Sequence, residues 1–367
     1  MTVPSPSPRP VARPDNSPGT GFGPPLGGPW LVPGHDGRLT VYVSVQDAIL
    51  RWTQTEIGGV RWQGPEALAA KGVTHVSVVY GENRYAHFLG LRTRPTGDGW
   101  SRVDVMCATQ YQTARPMTRW HALGNPHKDI EMAAEVGAPT GTVTPDGALH
   151  VFVPTGSGTV ELCREDAKGA WSAWKRLPAA GVTDAPAPAA TSTGLVELLV
   201  PTRVSALRLR GTKPGAALER AEEAGVVPVP GSATPLETGP GRITYYLTDA
   251  AGGSVVALRP GFWPLPLGGA PADGRVAALR APLDGLDCTV LAVRGATGTV
   301  NLGVCATEGE QSGLWWTDTA MHCRSDPSLA RDGHGRVVVA VLDAEGRPAV
   351  ARQEVGQGLT LSDWRLI

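Results

Sequence analysis

Cysteine is scarce in this sequence. The 367 residues include five cysteines, an odd number, with no Cys-x-x-Cys pair and no Cys/His spacing typical of a zinc site. A secreted domain stapled by disulfides is expected to carry an even set of cysteines. The pattern therefore predicts a reduced, cytoplasmic protein that works without a metal or any other cofactor.

The sequence also lacks long apolar runs and a clear excess of positive or negative charge. No run is long enough to cross a bilayer, and the first residues lack the apolar core of a secretory signal. The 33 Lys and Arg nearly balance the 34 Asp and Glu, and no basic face is visible. We expect neither a membrane nor a nucleic acid as partner, and the oligomeric state stays open.

Several catalytic signatures do not occur. There is no G-x-S-x-G elbow, no phosphate-binding P-loop and no G-x-G-x-x-G after a strand. The S-x-D-x-G-x-T-W box of sialidases is absent as well. These absences argue against a hydrolase of the nucleophile-elbow type, a nucleotide-binding enzyme and a sialidase.

Glycine and proline are plentiful, at 47 and 33 residues. Spread between short apolar runs, they predict many turns. Residues 1–28 are the exception, because prolines crowd there without apolar runs, and we expect a disordered arm. The folded domain is predicted to occupy residues 29–367. The Pro, Ala, Gly and Arg usage is typical of a bacterium with a GC-rich genome.

A turn followed by strands of alternating character recurs along the chain. The copies beginning at Gly147, Gly194 and Gly241 are each spaced by 47 residues, and Gly37 to Asn83 spans 46. Alternation with a period of two is typical of half-buried strands. Units of this length fit four short antiparallel strands, and we count seven units. The sequence therefore predicts an all-β fold, a seven-bladed β-propeller of four-stranded blades with one short helical insertion.

Tryptophans and cysteines also recur at matching positions within the repeat. Cys107, Cys163 and Cys305 are predicted in third strands, where buried thiols act as small apolar side chains. One tryptophan ends most units, and blade four has none. The tryptophans assigned to closing strands are Trp62, Trp120, Trp174, Trp263, Trp316 and Trp364.

The blade pattern resembles a known group of proteins. GRLTVYVSVQDAILRW followed by GVRWQGPEAL, and GALHVFV with GAWSAWKRLPA, are similar to blades of bacterial seven-bladed propeller lectins, the Photorhabdus-type fucose-binding and tectonin-like proteins. That resemblance implies sugar sites between neighbouring blades, stacked on aromatic rings. Trp62, Trp171 and Trp174 are the matching positions here. The alternative is that these rings only close blade cores.

One period is longer than the others. Asn83 to Gly147 spans 64 residues, and the surplus falls at NPHKDIEMAAEVG. Asn125 is a good N-cap, and Gly137 suits the end of a helix, so we predict a helix over residues 126–136. It would carry His127, Lys128, Asp129 and Glu131 over one mouth of the central channel, unless those charges merely solvate its face.

A second polar cluster lies in WWTDTAMHCRSDP. It holds Asp318, His322, Arg324 and Asp326, which we place at the start of the inner strand of blade seven. Charge is otherwise rare on the predicted inner strands. Arg324 and Asp326 could contact an anion or carbonyl and exchange protons, or could form a structural ion pair. His75 opens another inner strand and could face the channel.

Three functions are compatible with these patterns. The first is a cofactor-independent enzyme of natural-product metabolism, with His322, Arg324, Asp326, His127 and Asp129 as acid/base and electrostatic groups at the axial mouth. Its chemistry would be addition, cyclisation or ring opening on a small molecule. The second is a lectin-like module with sugar sites between blades, and the third is a protein-interaction scaffold that uses the rim.

Overall fold

The computed structural model describes residues 22–367 except 97, 98, 100, 167, 270, 273 and 357. Most of the predicted Pro-rich arm, residues 1–21, lies outside the described residues. The first strand begins at Gly27, two residues before the predicted start of the folded domain.

Seven four-stranded antiparallel sheets make up the fold, each from four strands consecutive in sequence. Blade 1 contains β1 (Gly27–Pro33), β2 (Leu39–Val45), β3 (Ala48–Gln54) and β4 (Trp62–Ala69). Blade 2 contains β5 (Val73–Val79), β6 (Ala86–Pro95), β7 (Ser101–Gln110) and β8 (His121–Gly124). Blade 3 contains β9 (Thr140–Val143), β10 (Leu149–Pro154), β11 (Val160–Arg164) and β12 (Lys175–Arg176).

The other four blades repeat this order. Blade 4 contains β13 (Ala187–Ala190), β14 (Val196–Pro201), β15 (Ala206–Gly211) and β16 (Leu218–Ala224). Blade 5 contains β17 (Thr234–Gly239), β18 (Arg242–Thr248), β19 (Val255–Leu258) and β20 (Leu265–Pro266). Blade 6 contains β21 (Ala277–Leu283), β22 (Leu286–Arg294), β23 (Thr299–Ala306) and β24 (Trp315–His322). Blade 7 contains β25 (Ser328–Arg331), β26 (Val337–Leu342), β27 (Pro348–Arg352) and β28 (Arg365–Leu366).

The predicted seven-bladed propeller is confirmed. The first strand of each blade contacts the first strand of the next, from β1 with β5 around to β25 with β1, so the inner strands surround a central axis. The second strands are buried along most of their length, as in LTVYVSV of β2, because each blade face packs on a neighbour. The outermost strands are mainly exposed, as in WQGPEALA of β4.

The hydrophobic cores lie mainly between blades. Leu39 and Val41 of β2 pack in one cluster with Val338 and Ala340 of β26, which joins the last blade to the first. Blades 1 and 7 each use only their own consecutive strands, so the ring closes without strand exchange. Closure depends on this apolar contact and on side-chain hydrogen bonds such as Leu31 N–H to Ser328 Oγ at 3.1 Å.

Three tryptophans fasten neighbouring outer strands. The indole N–H groups of Trp120, Trp174 and Trp316 donate to backbone carbonyls of the preceding blade, at Ala69 (2.9 Å), Leu123 (3.1 Å) and Leu267 (2.9 Å). The closing role predicted for these three tryptophans therefore has a specific cause, an indole that fills the gap and satisfies a carbonyl. The same closing role was predicted for Trp263. That prediction is wrong, because 91% of the Trp263 surface is exposed.

Glycine makes room for one of these indoles. A Cβ on Gly303 would lie 3.0 Å from ring atoms of Trp316, and one on Gly269 would lie 2.9 Å from them. Gly269 also has a φ of +86°, a conformation that other residues rarely adopt. The ring of Trp316 therefore packs closely against two glycines, and a side chain at either position would crowd it.

The predicted helix exists but is shorter and lies elsewhere than expected. It spans Ile130–Ala134, and its N-cap is Asp129, whose side chain accepts from Met132 N–H at 3.1 Å. Asn125 instead donates to the carbonyl of Ala133, at 2.9 Å, and accepts from His127 N–H. The helix contacts β7, the third strand of blade 2, rather than the axis.

All five cysteines are buried, and each is a thiol rather than half of a disulfide. Cys107, Cys163 and Cys305 lie in third strands, as predicted. Burial raises the pKa of Cys107 and of Cys305 to about 12 and that of Cys163 to about 11. These thiols stay protonated and serve as apolar packing groups. No helix among the described residues is long and apolar enough to cross a membrane.

Trp316→Phe should lower the free energy of unfolding by about 1–2 kcal/mol, because it removes one hydrogen bond and some buried ring surface. Trp315→Phe is the matched control, since the adjacent ring is 84% exposed. Its effect should stay within about 0.5 kcal/mol. Chemical denaturation of the two variants makes the comparison, and equal effects would contradict the fastening role.

Candidate functional site

Two pockets between blades and one cavity on the axis hold the candidate binding groups. The pocket between blades 2 and 3, termed the 2/3 pocket, has a volume of about 760 Å³. The pocket between blades 7 and 1, termed the 7/1 pocket, measures about 420 Å³. The axial cavity measures about 520 Å³. All three fall in the size range of small-molecule sites.

The 2/3 pocket combines aromatic rings with polar groups of both blades. Its side-chain lining includes Asn83, Tyr85, His87, Thr109, Tyr111, Thr118, His121, Asp146, Glu165, Asp166 and Trp171. Tyr85 and Tyr111 meet edge to face with ring centroids 5.0 Å apart. The ring of His121 lies 6.2 Å from that of Trp171. The pocket thus offers flat apolar surfaces beside hydrogen-bonding groups.

The 7/1 pocket is lined by a different set of side chains. They are Gln54, Val60, Trp62, Arg336, Val338, Val350, Arg352, Gln353, Glu354, Val355, Ser362 and Arg365. Arg336 is held by Asp332, with Nη2 to Oδ2 at 2.8 Å. Arg352 Nη1 donates to the Gly58 carbonyl across the ring closure at 3.0 Å.

The two pockets occupy equivalent places in the repeat, as a shared hydrogen bond shows. In blade 2 the Thr109 N–H donates to Thr118 Oγ1 at 2.9 Å, and in blade 7 the Arg352 N–H donates to Ser362 Oγ at 3.3 Å. Both bonds join the end of the third strand to the segment that leads into the fourth. Each pair of residues lines its own pocket.

Strand register gives the same correspondence. Cys107 lies opposite His121 in blade 2, and Val350 lies opposite Arg365 in blade 7. His121 and Arg365 therefore hold matching positions on the outermost strands.

The following blade completes both pockets in the same way. In blade 3, Glu165 forms an isolated antiparallel β-bridge with Trp171. In blade 1, Gln54 on the third strand lies opposite Trp62 on the fourth. Each tryptophan comes where the chain returns from the third strand toward the fourth, and each is half-buried against the neighbouring blade. One ring per pocket is thus supplied by the next blade, at equivalent positions.

The pocket between blades 3 and 4 lacks this ring. Pro214 and Gly215 line it from blade 4, and no aromatic side chain does so among the described residues. The register explains the difference, because Gly211 pairs with Leu218 where blades 1 and 3 pair a long polar residue with tryptophan. The missing tryptophan of blade four noted in the sequence therefore removes an aromatic wall.

Histidines in and beside the 2/3 pocket are neutral at ordinary pH. Burial lowers the pKa of His87 to about 4, and it also lowers the pKa values of His121 and His150. His87 Nδ1 is 3.0 Å from Thr109 Oγ1, while its buried Nε2 has no hydrogen-bond partner among the described residues. A buried polar atom without a hydrogen-bond partner costs free energy of folding.

The two pockets differ in charge. The 2/3 pocket carries Asp146, Glu165 and Asp166, and desolvation raises the pKa of Glu165, with Asp166 adding to that effect. The 7/1 pocket carries three arginines against one lining carboxylate, Glu354. Since Arg336 already pairs with Asp332, the excess positive charge comes from Arg352 and Arg365.

The axial cavity is lined by inner-strand residues of all seven blades, and its surface is polar and apolar in about equal parts. Its ionisable residues are Tyr80, Arg275 and Asp326. Only Asp326 was predicted there. Tyr80 and Arg275 flank inner strands of ordinary apolar pattern, and nothing in their sequence context set them apart from turn residues.

The predicted axial constellation is not assembled. The prediction that WWTDTAMHCRSDP opens the inner strand of blade seven is wrong for most of its length, because Trp315–His322 forms β24, the outermost strand of blade 6. Asp318 accepts from Thr299 Oγ1 at 3.0 Å on that strand. His322 and Arg324 are exposed and do not line the axial cavity.

The residues predicted around the helix also lie away from the axis. His127, Lys128, Asp129 and Glu131 line neither the axial cavity nor the two inter-blade pockets. His127 is buried beside the helix, and Asp129 is engaged in capping it. The expected lid over the mouth is therefore wrong, since the insertion packs on blade 2.

Two further predicted residues have local structural explanations. His75 sits at an irregularity of β5 with a φ of +51°, and its Nδ1 is 3.1 Å from Thr74 Oγ1. The channel lining of that strand begins only at Ser77. Trp174 fastens blades 2 and 3, whereas Trp62 and Trp171 line pockets as the lectin resemblance implies.

Sequence reasoning missed much of both pockets. None of Tyr85, His87, Arg336, Arg352 and Arg365 was predicted to be a site residue. The available signal was position, because polar side chains follow the apolar alternation at matching ends of second and third strands. No group of three or more His, Cys, Asp and Glu side chains in the described part of the chain is arranged to hold a metal.

Comparison with known proteins places the fold among propellers that include lectins. No protein-family model and no curated protein sequence matches the chain. The lectin BP39L from Burkholderia pseudomallei superposes with a TM-score of 0.67 at 13% identity, over 93% of this chain and 99% of that one. AofleA from Arthrobotrys oligospora gives 0.51 at 10% identity, over 80% and 86%.

The same architecture also occurs in a protein solved with a protein partner. BBS1N, in complex with ARL6DN, superposes with a TM-score of 0.56 at 13% identity, over 93% of this chain and 95% of that one. At such identities the likeness shows the fold alone. The architectural resemblance to bacterial propeller lectins is confirmed.

The low pKa of His87 makes stability pH-dependent. Its pKa is about 4 in the folded chain and near the ordinary 6.5 when unfolded, so only the unfolded state gains a proton between these values. Unfolding free energy should therefore fall as pH drops from about 6.5 toward 4, by up to about 1.4 kcal/mol per pH unit from this group.

His87→Gln should remove that share of the pH dependence, measured by chemical denaturation across the range. His35→Gln, at an exposed turn residue, is the control and should keep the original slope. A His87→Gln variant with an unchanged slope would show that the neutral ring is not the source.

Proposed function

We propose that this chain is a carbohydrate-binding propeller with sugar sites in the 2/3 and 7/1 pockets. The observation that carries the proposal is their equivalence: each combines polar side chains of one blade with a half-buried tryptophan of the next. The apolar face of a sugar ring can lie on such an indole while its hydroxyls meet the polar side chains. The fold shared with a lectin supports this function.

The groups present suit a polyhydroxylated ligand. In the 2/3 pocket, carboxylates of Glu165 and Asp146 can accept from sugar hydroxyls, and the Asn83 amide can donate or accept. Charge-assisted hydrogen bonds of this type are stronger than neutral ones. The unpartnered Nε2 of His87 lies at the same wall and adds a polar group that a ligand or water would satisfy.

Two sites on one rigid ring would act together on a multivalent glycan. The second binding event becomes intramolecular, so avidity exceeds the affinity of either site. The drift of the other blades fits this proposal, because a blade that supplies no aromatic wall to a sugar site need only close the ring. The enzyme alternative lacks comparable support, because Asp326 alone of its five proposed catalytic residues lines the axial cavity.

Removal of each tryptophan should remove one site. Trp171→Ala and Trp62→Ala should each reduce the calorimetric stoichiometry for a bound monosaccharide from two to one, or weaken that site at least about tenfold, since stacking and burial are both lost. The double variant should not bind. Trp263→Ala, which changes an exposed ring outside both pockets, is the matched control.

A glycan array supplies the ligand for that experiment. Binding to no saccharide at all would contradict the proposed function. Binding that survives in the Trp62, Trp171 double variant would locate the sugar elsewhere and contradict the assignment of the pockets.

The difference in charge between the two pockets predicts a difference in the sugars that they bind best. With Trp171→Ala leaving only the 7/1 pocket, a sugar carrying a carboxylate, such as galacturonate, should bind more tightly than galactose because Arg352 and Arg365 attract it. Arg365→Gln should reduce that preference several-fold, and added salt should reduce it as well. Equal binding of both sugars in the Trp171→Ala protein would contradict this assignment.

A further inference from the structure

The 2/3 pocket has an excess of negative charge. Three carboxylates line it, those of Asp146, Glu165 and Asp166, and no lysine or arginine of the described chain does so. Its two histidines, His87 and His121, do not compensate, because burial lowers the pKa of each and keeps the rings neutral. The lining as a whole is therefore anionic near neutral pH.

None of these three carboxylates forms an ion pair with another residue in the described part of the chain. Asp146 accepts from Thr144 Oγ1 at 2.5 Å, and this hydrogen bond lowers the pKa of the Asp146 carboxyl. Asp166 accepts from the Ala170 N–H of its own turn at 2.9 Å. Neutral donors of this kind orient the carboxylates and leave their charge uncancelled.

Glu165 is the carboxylate that a cation would stabilise most. Burial raises the pKa of its carboxyl, the Leu149 N–H acts in the opposite direction, and the neighbouring charge of Asp166 raises the pKa further. A raised carboxyl pKa means that the charged form is destabilised in its surroundings. The adjacent Arg164 does not relieve it, because its Nη1 is directed to blade 4 and donates to the Gly215 carbonyl at 3.1 Å. A positively charged ligand beside Glu165 would offset both burial and repulsion.

Aromatic rings line the same pocket as these carboxylates. Trp171 lies opposite Glu165 in their β-bridge, and the edge-to-face pair of Tyr85 and Tyr111 completes the aromatic surface. The faces of tryptophan and tyrosine rings attract a cation that approaches within about 6 Å of the ring centre. Formal negative charge and aromatic faces thus favour the same kind of ligand for independent physical reasons.

A buried imidazole at the pocket wall adds an acceptor. His87 lines the pocket and is only 5% exposed, and its Nε2 has no hydrogen-bond partner among the described residues. In the tautomer whose Nδ1–H donates to Thr109 Oγ1, 3.0 Å away, the Nε2 lone pair is left to accept. An ammonium group has three donors and no acceptor. It is therefore matched to a wall that presents acceptors.

The pocket between blades 3 and 4 is a useful comparison. The carboxylates of Asp146, Glu165 and Asp166 line it as well, because blade 3 stands between the two pockets. That pocket also holds Arg164, and its described lining contains neither tryptophan nor tyrosine. A cation there would meet a like charge and would find no indole or phenol face. Only the 2/3 pocket joins the carboxylates to those rings without a cationic side chain in its described lining.

We propose that the 2/3 pocket selects a sugar that carries a protonated amine, a hexosamine with a free amino group. The ammonium group lies beside Glu165, and the apolar face of the sugar ring lies on Trp171. This inference rests on the proposed carbohydrate function and specifies the class of sugar for this pocket. The 2/3 and 7/1 pockets then prefer sugars of opposite charge, since Arg352 and Arg365 line the latter.

Calorimetry on the full chain with Trp62→Ala, which leaves only the 2/3 pocket, tests the proposal. The probes are galactosamine and glucosamine, each compared with its parent sugar and its N-acetyl derivative. At pH about 6.5 the free amines are largely protonated, because amines of this kind titrate near about 8. At least one hexosamine should bind at least about fivefold more tightly than both of its neutral forms, and added salt should reduce the difference.

Variants of Glu165 in the Trp62→Ala protein locate the ammonium group. Glu165→Gln should reduce the preference for the hexosamine several-fold, because it removes the charge and keeps the size of the side chain. Glu165→Asp keeps the charge and should retain part of the preference, which shows that the pocket still folds. Glu219→Gln, at an exposed position on the outermost strand of blade 4, is the matched control and should leave the preference unchanged.

Equal binding of the charged and neutral sugars would overturn this inference and leave the carbohydrate function intact. A preference that is undiminished in Glu165→Gln would overturn it as well. Hexosamine binding that survives in the Trp62, Trp171 double variant would place the amine in another pocket, such as the one between blades 3 and 4. If neither hexosamine binds while other sugars do, the inference alone is wrong, and if no sugar binds the protein at all, the proposed function is wrong with it.

Discussion

The structure depends on the packing of each blade against its neighbours. A four-stranded sheet with two apolar faces cannot bury both alone, so every blade needs one on each side. The contact between blades 7 and 1 is the critical case, because no strand is exchanged there. The cluster that joins Leu39 and Val41 to Val338 and Ala340 converts an open array into a ring. The candidate pockets are consequences of that ring, since they lie between blades or on its axis.

The sequence predicted the seven-bladed ring well because each sequence repeat corresponds to one structural unit, a four-stranded blade. Alternation, turn glycines and spacing all reflect one supersecondary unit, and they identified seven blades and the strands of Cys107, Cys163 and Cys305. The helix was located but wrongly bounded, because Asp129 and Asn125 are both good caps and only tertiary contacts decide between them. Trp263 matched the spacing of the closing tryptophans, yet its ring faces solvent, since spacing does not determine which way a loop turns.

The sites were harder to predict from sequence. Asp326 was placed at the axis, but His322 and Arg324 were placed with it because the boundary between β24 and β25 was drawn too early. A shift of a few residues moves side chains from the inner strand of one blade to the outermost strand of another. Arg352 and Arg365 of blade 7 form a pocket only together with Trp62, which lies nearly 300 residues earlier in the chain. Ring closure brings these residues into one pocket, and no local sequence pattern predicts that they meet.

The central claim is that two equivalent inter-blade pockets bind sugar. The most direct measurement is a crystal structure of the protein with a saccharide selected on a glycan array. The account predicts sugar rings stacked on Trp171 and on Trp62, in matching orientations relative to their blades. A saccharide bound only elsewhere, with both indoles unoccupied, would contradict it.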